Sequence, residues 1–427
     1  MAGGHKGRPY IPPVKSIIKD AALAPEGQRK IAWVAQHAPV LNAAFEKYLS
    51  DGTLRGLNIA VCVPLEAKTA YLSLLLHRAG ANVALAGTAP GYVQDDVAAG
   101  IAAEGVAVYS VADASAEEFE ANLTRTVEND PVLLVDDRAE LTRILHTTQS
   151  GRRGKVWGAS EQTTSGVNKL RNMEREGTLA FPVIAGNDAM CKHLFDNRYG
   201  TGQSVFTAMM ALTNLYFGGR TVVLAGYGWC GKGLARRAAG LNARVVVCEV
   251  DPVRALEAVA DGFTVMPLAE AAAVGDFFIT STGTHAVFGS AHFERMKDGA
   301  VLANAGGLDT EIDVPVLAGM ATGQSEVRRH ITEYRLKDGR RLHLLSQGRL
   351  VNIAGGDGHP VEIMDLSFTV QALAIYHLAR HRGELAPGVH ALPAEIDREI
   401  ARIKLETLGV SIDRLTPEQE EMRRRWQ

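Results

Sequence analysis

The chain has 427 residues, a net charge of −3, and 46% hydrophobic and 22% charged residues, the balance of a globular protein. Single cores stop growing at about 250–300 residues, so two or three domains are expected. The small net charge gives no reason for a nucleic-acid partner or an acidic membrane surface, and no apolar run reaches the roughly 18–20 residues of a membrane span.

The N-terminal stretch Met1–Pro13 is polar, with Gly and Pro, and lacks an apolar signal core. Residues 14–50 read as helices. A strand–helix–strand rhythm follows: Asn58–Val63, Ala67–Ala79 and Asn82–Ala86, then a strand at Val106–Val111, a helix at Ala116–Glu128 and a strand at Val132–Val135. Such alternation predicts a parallel sheet covered on both faces. The rhythm pauses in the polar Gly151–Gly166 region. A second α/β block starts near Asn197, with strands at Thr221–Leu224, Arg244–Val250, Thr264–Met266, Phe277–Thr280 and Ala300–Asn304. Helix returns after Gly356, as in Ser367–Arg380. The segment Pro393–Gln427 is charged and helical and ends near Arg423, Arg424 and Arg425. The four cysteines (Cys62, Cys191, Cys230, Cys248) form no CxxC pair. That fits reduced thiols in a cytoplasm and neither a disulfide frame nor a metal site.

The most informative run is Thr221-Val-Val-Leu-Ala-Gly226-Tyr-Gly228-Trp-Cys-Gly231, a strand entering a Gly-rich turn that opens a helix. Gly226 makes the tight turn, Gly228 leaves room for a pyrophosphate, and Gly231 lets the helix approach the strand. Trp229 and Cys230 start a helix whose free N–H groups and dipole suit phosphates. Glu249 ends the next strand, where an acid takes the adenosine ribose hydroxyls and repels a 2′-phosphate. NAD is therefore expected over NADP.

With that unit in place, the chain resembles the adenosylhomocysteinase (S-adenosylhomocysteine hydrolase) family from about Lys15 to about Glu420. The resemblance is carried by Ser160-Glu-Gln-Thr-Thr-Ser-Gly-Val167, Asn187-Asp188, Lys192 with Phe195-Asp196-Asn197-Arg-Tyr-Gly200, the Gly226 loop, Glu249-Val-Asp-Pro252, Gly348-Arg-Leu-Val-Asn352 and Gly358-His-Pro360. It implies an α/β fold: a discontinuous α/β substrate domain (residues 1–195 and 357–405), an inserted Rossmann NAD-binding domain (196–356), and a short helical C-terminal arm (406–427). A homotetramer or homodimer is implied as well. The implied chemistry is redox-neutral: the ribose 3′-hydroxyl becomes a ketone, the acidified 4′-hydrogen is removed, the 5′-substituent leaves, water adds, and the ketone is reduced again.

The resemblance places catalysis on Lys192, Asp196 and Asp137. Lys192 and Asp196 are four apart, the spacing of one helix face. Asp137 follows an apolar run at a strand's C-terminal end, where α/β sheets place ligands; Asp136 is the weaker candidate. Thr163, Thr164, Ser165, Asn197, Thr282, Asn304 and Asn352 match NAD-contacting positions, and Asn187 and His359 match the substrate pocket.

Departures from the family cluster on the substrate side. Within Cys62-Val-Pro64-Leu-Glu66-Ala-Lys68-Thr69, Pro64 stands for a histidine beside the leaving group, and Glu66 and Lys68 for adenine-contacting residues. Gln162 replaces a ribose-binding Glu, Gly307 a second leaving-group histidine, and Thr201 a Cys near the nicotinamide. The chain also ends at Gln427 without the family's Lys/Tyr-bearing tail. Two imidazoles that could protonate a leaving group are lost, and Pro64 and Gly307 are expected to open space. The expected function is elimination from an adenine-type nucleoside, as a dehydratase giving a 4′,5′-unsaturated product of the psicofuranine-to-decoyinine kind. An authentic S-adenosylhomocysteine hydrolase and a non-catalytic NAD-binding homologue are the alternatives.

Overall fold

The computed structural model describes residues 16–426, so the Met1–Pro13 stretch lies outside the described residues. Short runs such as Leu133–Asp136 and Thr221–Ala225 are buried along their whole length, as strands of a sheet covered on both faces must be. They form two sheets.

The first sheet uses β1 (Asn58–Cys62), β2 (Asn82–Ala86), β3 (Ala107–Val108), β4 (Leu133–Asp136), β5 (Gly158–Glu161), β6 (Pro182–Ile184) and, from far downstream, β15 (Gly388–His390). Its order is β15-β6-β5-β4-β1-β2-β3, all parallel. The order reverses between β1 and β4, so the loops after these strands flank a crevice suited to ligands. Pro64 follows β1 and Asp137 follows β4.

The second sheet uses β7 (Thr221–Ala225), β8 (Arg244–Cys248), β9 (Thr264–Val265), β10 (Phe277–Thr280), β11 (Ala300–Asn304), β12 (Ala321–Arg328), β13 (Ile331–Leu336) and β14 (Arg341–Leu345). Its order is β12-β13-β14-β11-β10-β7-β8-β9. The β14-to-β9 part is parallel, and β12, β13 and β14 form an antiparallel edge. Here the order reverses between β7 and β10, which brings the Gly226 turn and Thr282 to one crevice.

The expected alternation is present, with three corrections. The Gly151–Gly166 pause contains β5. The antiparallel edge was not foreseen, because β12 is almost wholly exposed and lacks an apolar alternation. Lys192 and Asp196 do share a face, but the chain from His193 to Gly200 winds as a π-helical turn rather than a regular α-helix. The long helix Val361–Arg380 packs against β4, β5 and the π-helical turn. It thereby returns the chain to the first sheet. All four cysteines are free, and among the described residues no helix is long and apolar enough to cross a membrane.

Candidate active site

Asp196 is the hub of a buried polar network. Its Oδ1 lies 3.2 Å from Lys192 Nζ and 3.2 Å from His359 Nδ1. Its Oδ2 accepts from Ser367 Oγ at 2.5 Å and Gln162 Nε2 at 3.3 Å. Burial alone would raise its pKa, but the charges of Lys192 and His359 and these donors outweigh burial and hold it well below the usual carboxylate range. Lys192 Nζ also donates to Asn197 Oδ1 (2.6 Å) and Asn187 Oδ1 (3.4 Å), and Asn197 Nδ2 donates to Asn187 (3.1 Å). His359 Nε2 meets Thr201 Oγ1 at 3.3 Å, and Thr201 reaches Cys230 Sγ at 3.6 Å. The network thus runs from the Asn187 loop to the start of the helix after the Gly226 turn.

Asp137 sits beside this network. It is buried, burial pushes its pKa up against the pull of Arg138 and Lys192, and its Oδ1 has no hydrogen-bond partner. Asp136, pushed up to about 7 by burial, is held in the scaffold by the N–H groups of Leu141 (3.0 Å) and Thr142 (2.9 Å). Between them and the next helix the chain turns through Arg138 and Ala139, both at φ 58°. Non-glycine residues there cost roughly 1–3 kcal/mol each. Glu161 compensates, its carboxylate accepting the N–H groups of Arg138, Ala139 and Thr163 at 3.0, 3.0 and 2.9 Å. Burial and the neighbouring Asp136 and Asp137 drive the Glu161 pKa far up.

The other substrate-side expectations fall as follows. Gln162 is clamped between Asp196 and Gln371, whose Nε2 donates to its Oε1 at 2.7 Å. Glu66 pairs with Lys68 (2.6 Å), Lys68 Nζ also donates to the Asp357 carbonyl (2.8 Å), and Thr69 Oγ1 to the Pro64 carbonyl (2.7 Å). Glu66 lines a cleft of about 950 Å³ with Gly91–Gln94 and Ile353–Gly358. A Cβ on Gly307 would lie 2.9 Å from Ser165 Oγ and 3.2 Å from Ser165 Cβ, with no other atom within 4 Å, so Gly307 abuts Ser165 on that side.

The glycine cradle has the geometry a dinucleotide requires. Gly226 adopts φ 99°, and a Cβ on Gly231 would lie 2.1 Å from the Gly226 carbonyl oxygen, so helix and turn are in backbone contact. A Cβ on Gly228 would meet only the Arg254 guanidinium, at 3.9 Å, and the helix Trp229–Gly240 has no side-chain cap, leaving its N–H groups for phosphate. Glu249 already accepts from the N–H groups of Tyr227 (2.7 Å), Val250 (2.7 Å) and Asp251 (3.1 Å) at the strand end. Trp229 stacks on His193 with ring centres 5.0 Å apart. Thr163 caps the helix Thr164–Arg175, Thr164 is exposed, and Ser165 faces Gly307. Thr282 bonds Glu311 (2.8 Å). Asn352 gives Nδ2 to Ser204 (3.0 Å) and keeps a buried Oδ1 with no partner. Asn304 is fully engaged, with Thr280, Gly306, Leu308 and Gly348.

This architecture has known relatives. The model for S-adenosyl-L-homocysteine hydrolase matches residues 15–156, and that for S-adenosyl-L-homocysteine hydrolase, NAD binding domain, matches residues 197–358. The adenosylhomocysteinase of Pyrococcus abyssi is 48% identical over 410 residues, covering 96% of this chain and 97% of that protein. The chain belongs to the S-adenosyl-L-homocysteine hydrolase family. The S-inosyl-L-homocysteine hydrolase of Methanopyrus kandleri is 47% identical over 411 residues, covering 96% and 97% of the two chains. The Thermotoga maritima adenosylhomocysteinase is 47% identical over 401 residues, covering 94% and 99%. As a member of this family the chain is an enzyme that uses NAD, and the Gly226 cradle is where its residues fit that cofactor.

Ser367, Gln371, Glu161, Arg138 and Tyr92 were not singled out from the sequence. Ser367 and Gln371 stand four apart in the largely apolar run Val361–Arg380, and buried polar residues at helical spacing were the available signal. Nothing in the sequence pairs Tyr92 with Arg138.

Proposed function

We propose that the chain cleaves the 5′-substituent of a purine nucleoside by transient oxidation at the 3′-carbon. The carrying observation is Lys192 and Asp196 paired in a buried site, next to Asp137, whose buried Oδ1 has no hydrogen-bond partner. Bound NAD supplies the oxidation of the 3′-carbon and its reversal. Lys192 and Asp196 hold the 3′-oxygen between a donor and an acceptor, with Asn187, Asn197 and His359 fixing the pair. Asp137, desolvated and therefore more basic than an ordinary carboxylate, takes the 4′-proton once the 3′-carbon is a ketone. The electron pair released at the 4′-carbon forms the 4′,5′ double bond as the bond to the 5′-substituent breaks. Thr163, Thr164, Ser165, Thr282, Asn304, Asn352 and Glu249 border the cofactor.

Near 47–48% identity along almost the whole chain supports a homocysteine thioether as the substrate, with water adding to the double bond. Pro64 and Gly307, which leave the end of the site without imidazoles, favour a second reading in which water itself leaves and the unsaturated nucleoside is the product. Mass analysis after incubation with S-adenosyl-L-homocysteine and, separately, with psicofuranosyl adenine tests both. Release of homocysteine supports the first, loss of one water the second, and neither product from either compound ends the proposal. We further infer residues 1–195 with 357–405 as the substrate domain, 196–356 as the NAD domain, 406–427 as a short arm, a homotetramer or homodimer, and a cytoplasmic location. The exposed row Val250, Val253, Leu256 and Val259 supports assembly of copies, and native mass checks it.

A further inference from the structure

Three side chains from loops of both sheets converge at Arg138, the residue after Asp137. Tyr92, on the loop after β2, is 2% exposed. Its hydroxyl donates to the Asp309 carboxylate and accepts the Leu350 N–H at 2.8 Å. The Arg138 guanidinium lies 5.1 Å from the centre of the Tyr92 ring and 3.4 Å from the Asp309 carboxylate. The Tyr92 carbonyl accepts the Leu65 N–H at 2.8 Å, next to Pro64. Asp309 is two residues past Gly307. Tyr92 also lines the cleft of about 950 Å³, which none of Lys192, Asp196, Asp137 or Arg138 lines. Arg138 takes part from a left-handed backbone that a side chain disfavours.

The direction of the site follows from the chemistry. With Asp196 serving the 3′-carbon and Asp137 the 4′-carbon, as proposed above, Arg138, the residue next to Asp137, is the candidate neighbour of the 5′-substituent. We propose that Tyr92, Arg138 and Asp309 form a clasp that closes this end and limits the 5′-substituent, so that the enzyme prefers a purine nucleoside bearing a hydroxyl there over one bearing an amino-acid thioether. The inference rests on the elimination chemistry proposed above and favours the shorter of its two leaving groups.

Equilibrium binding to the NAD-loaded full chain tests it, with adenosine and S-adenosyl-L-homocysteine as the pair differing at the 5′-position. The wild type is expected to bind adenosine at least tenfold more tightly. Tyr92→Ser with Arg138→Gly is expected to improve thioether binding at least tenfold while adenosine stays within threefold. Arg138→Gly alone suits the local backbone, so it provides a folded variant with the same direction of change. A wild type that binds both equally overturns the clasp. So does an Arg138→Gly variant that loses thioether affinity, because Arg138 would then be gripping the amino-acid carboxylate. Binding is read apart from redox chemistry. Adenosine binding without any rise in nicotinamide absorbance would defeat the proposed function, whereas equal binding of the two ligands with that rise present would defeat the clasp alone.

Discussion

Replacing Gln162 by Glu puts a second carboxylate beside Asp196. Gln162 Nε2 is 3.3 Å from Asp196 Oδ2, and both residues are buried. Two unit charges about 4 Å apart repel by about 4 kcal/mol at an effective dielectric near 20, equivalent to ~3 pH units at 1.36 kcal/mol each. In the wild type the Asp196 pKa is depressed, so its stabilising contribution is complete above the unfolded carboxylate value of about 4 and is lost only as pH falls below it. In Gln162→Glu the pair holds a proton to higher pH than its unfolded counterparts. Its stability penalty is therefore absent near pH 4, grows as pH rises towards about 7, and approaches the full ~4 kcal/mol there. Urea unfolding of wild type and variant from pH 4 to 8 measures the difference. The acid limb of the 3′-oxidation rate, followed by nicotinamide absorbance, is expected to move up by one or more units, on the order of the same coupling. A stability difference independent of pH, with an unmoved acid limb, would refute the assigned proximity and charge of the Asp196 network.

Asp137→Asn is expected to keep 3′-oxidation while slowing 4′-proton exchange by about 100-fold or more, the usual scale for a lost general base; rapid-quench analysis in deuterated water separates the two steps. Gly231→Ala places a Cβ where only 2.1 Å separates it from the Gly226 carbonyl oxygen, so NAD affinity and melting temperature should both fall. Glu249→Gln removes the acceptor charge at the β8 end. NAD is expected to bind about tenfold more weakly, about 1.4 kcal/mol, with NADP rising relative to it; titration with both nucleotides reads this ratio.

The Gly226 unit was legible because strand, turn and helix are consecutive in sequence and each glycine answers a local steric demand. Lys192 and Asp196 were singled out by the family resemblance, with which their four-residue spacing agrees, and the π-helical winding between them was not legible. Residues β5 and β6 contribute are short buried runs, Gly158–Glu161 and Pro182–Ile184, too brief for a periodic signal. Ser367 and Gln371 acquire meaning only when a helix some 170 residues after Asp196 returns to the first sheet. The surroundings of Gly307 were not legible, because nothing along the chain pairs it with Ser165, the side chain that faces it. Local chemistry could be read along the chain, whereas the shape of the substrate end depends on loops from both sheets.

In the proposed reaction, catalysis passes through a 3′-ketone that acidifies the 4′-hydrogen. Incubating the NAD-loaded enzyme with adenosine in deuterated water and recovering the nucleoside tests it directly. Deuterium is expected at the 4′-carbon and is expected to be lost in Lys192→Met and Asp137→Asn. Recovered nucleoside without deuterium at that carbon, from an enzyme still converting its substrate, would contradict it.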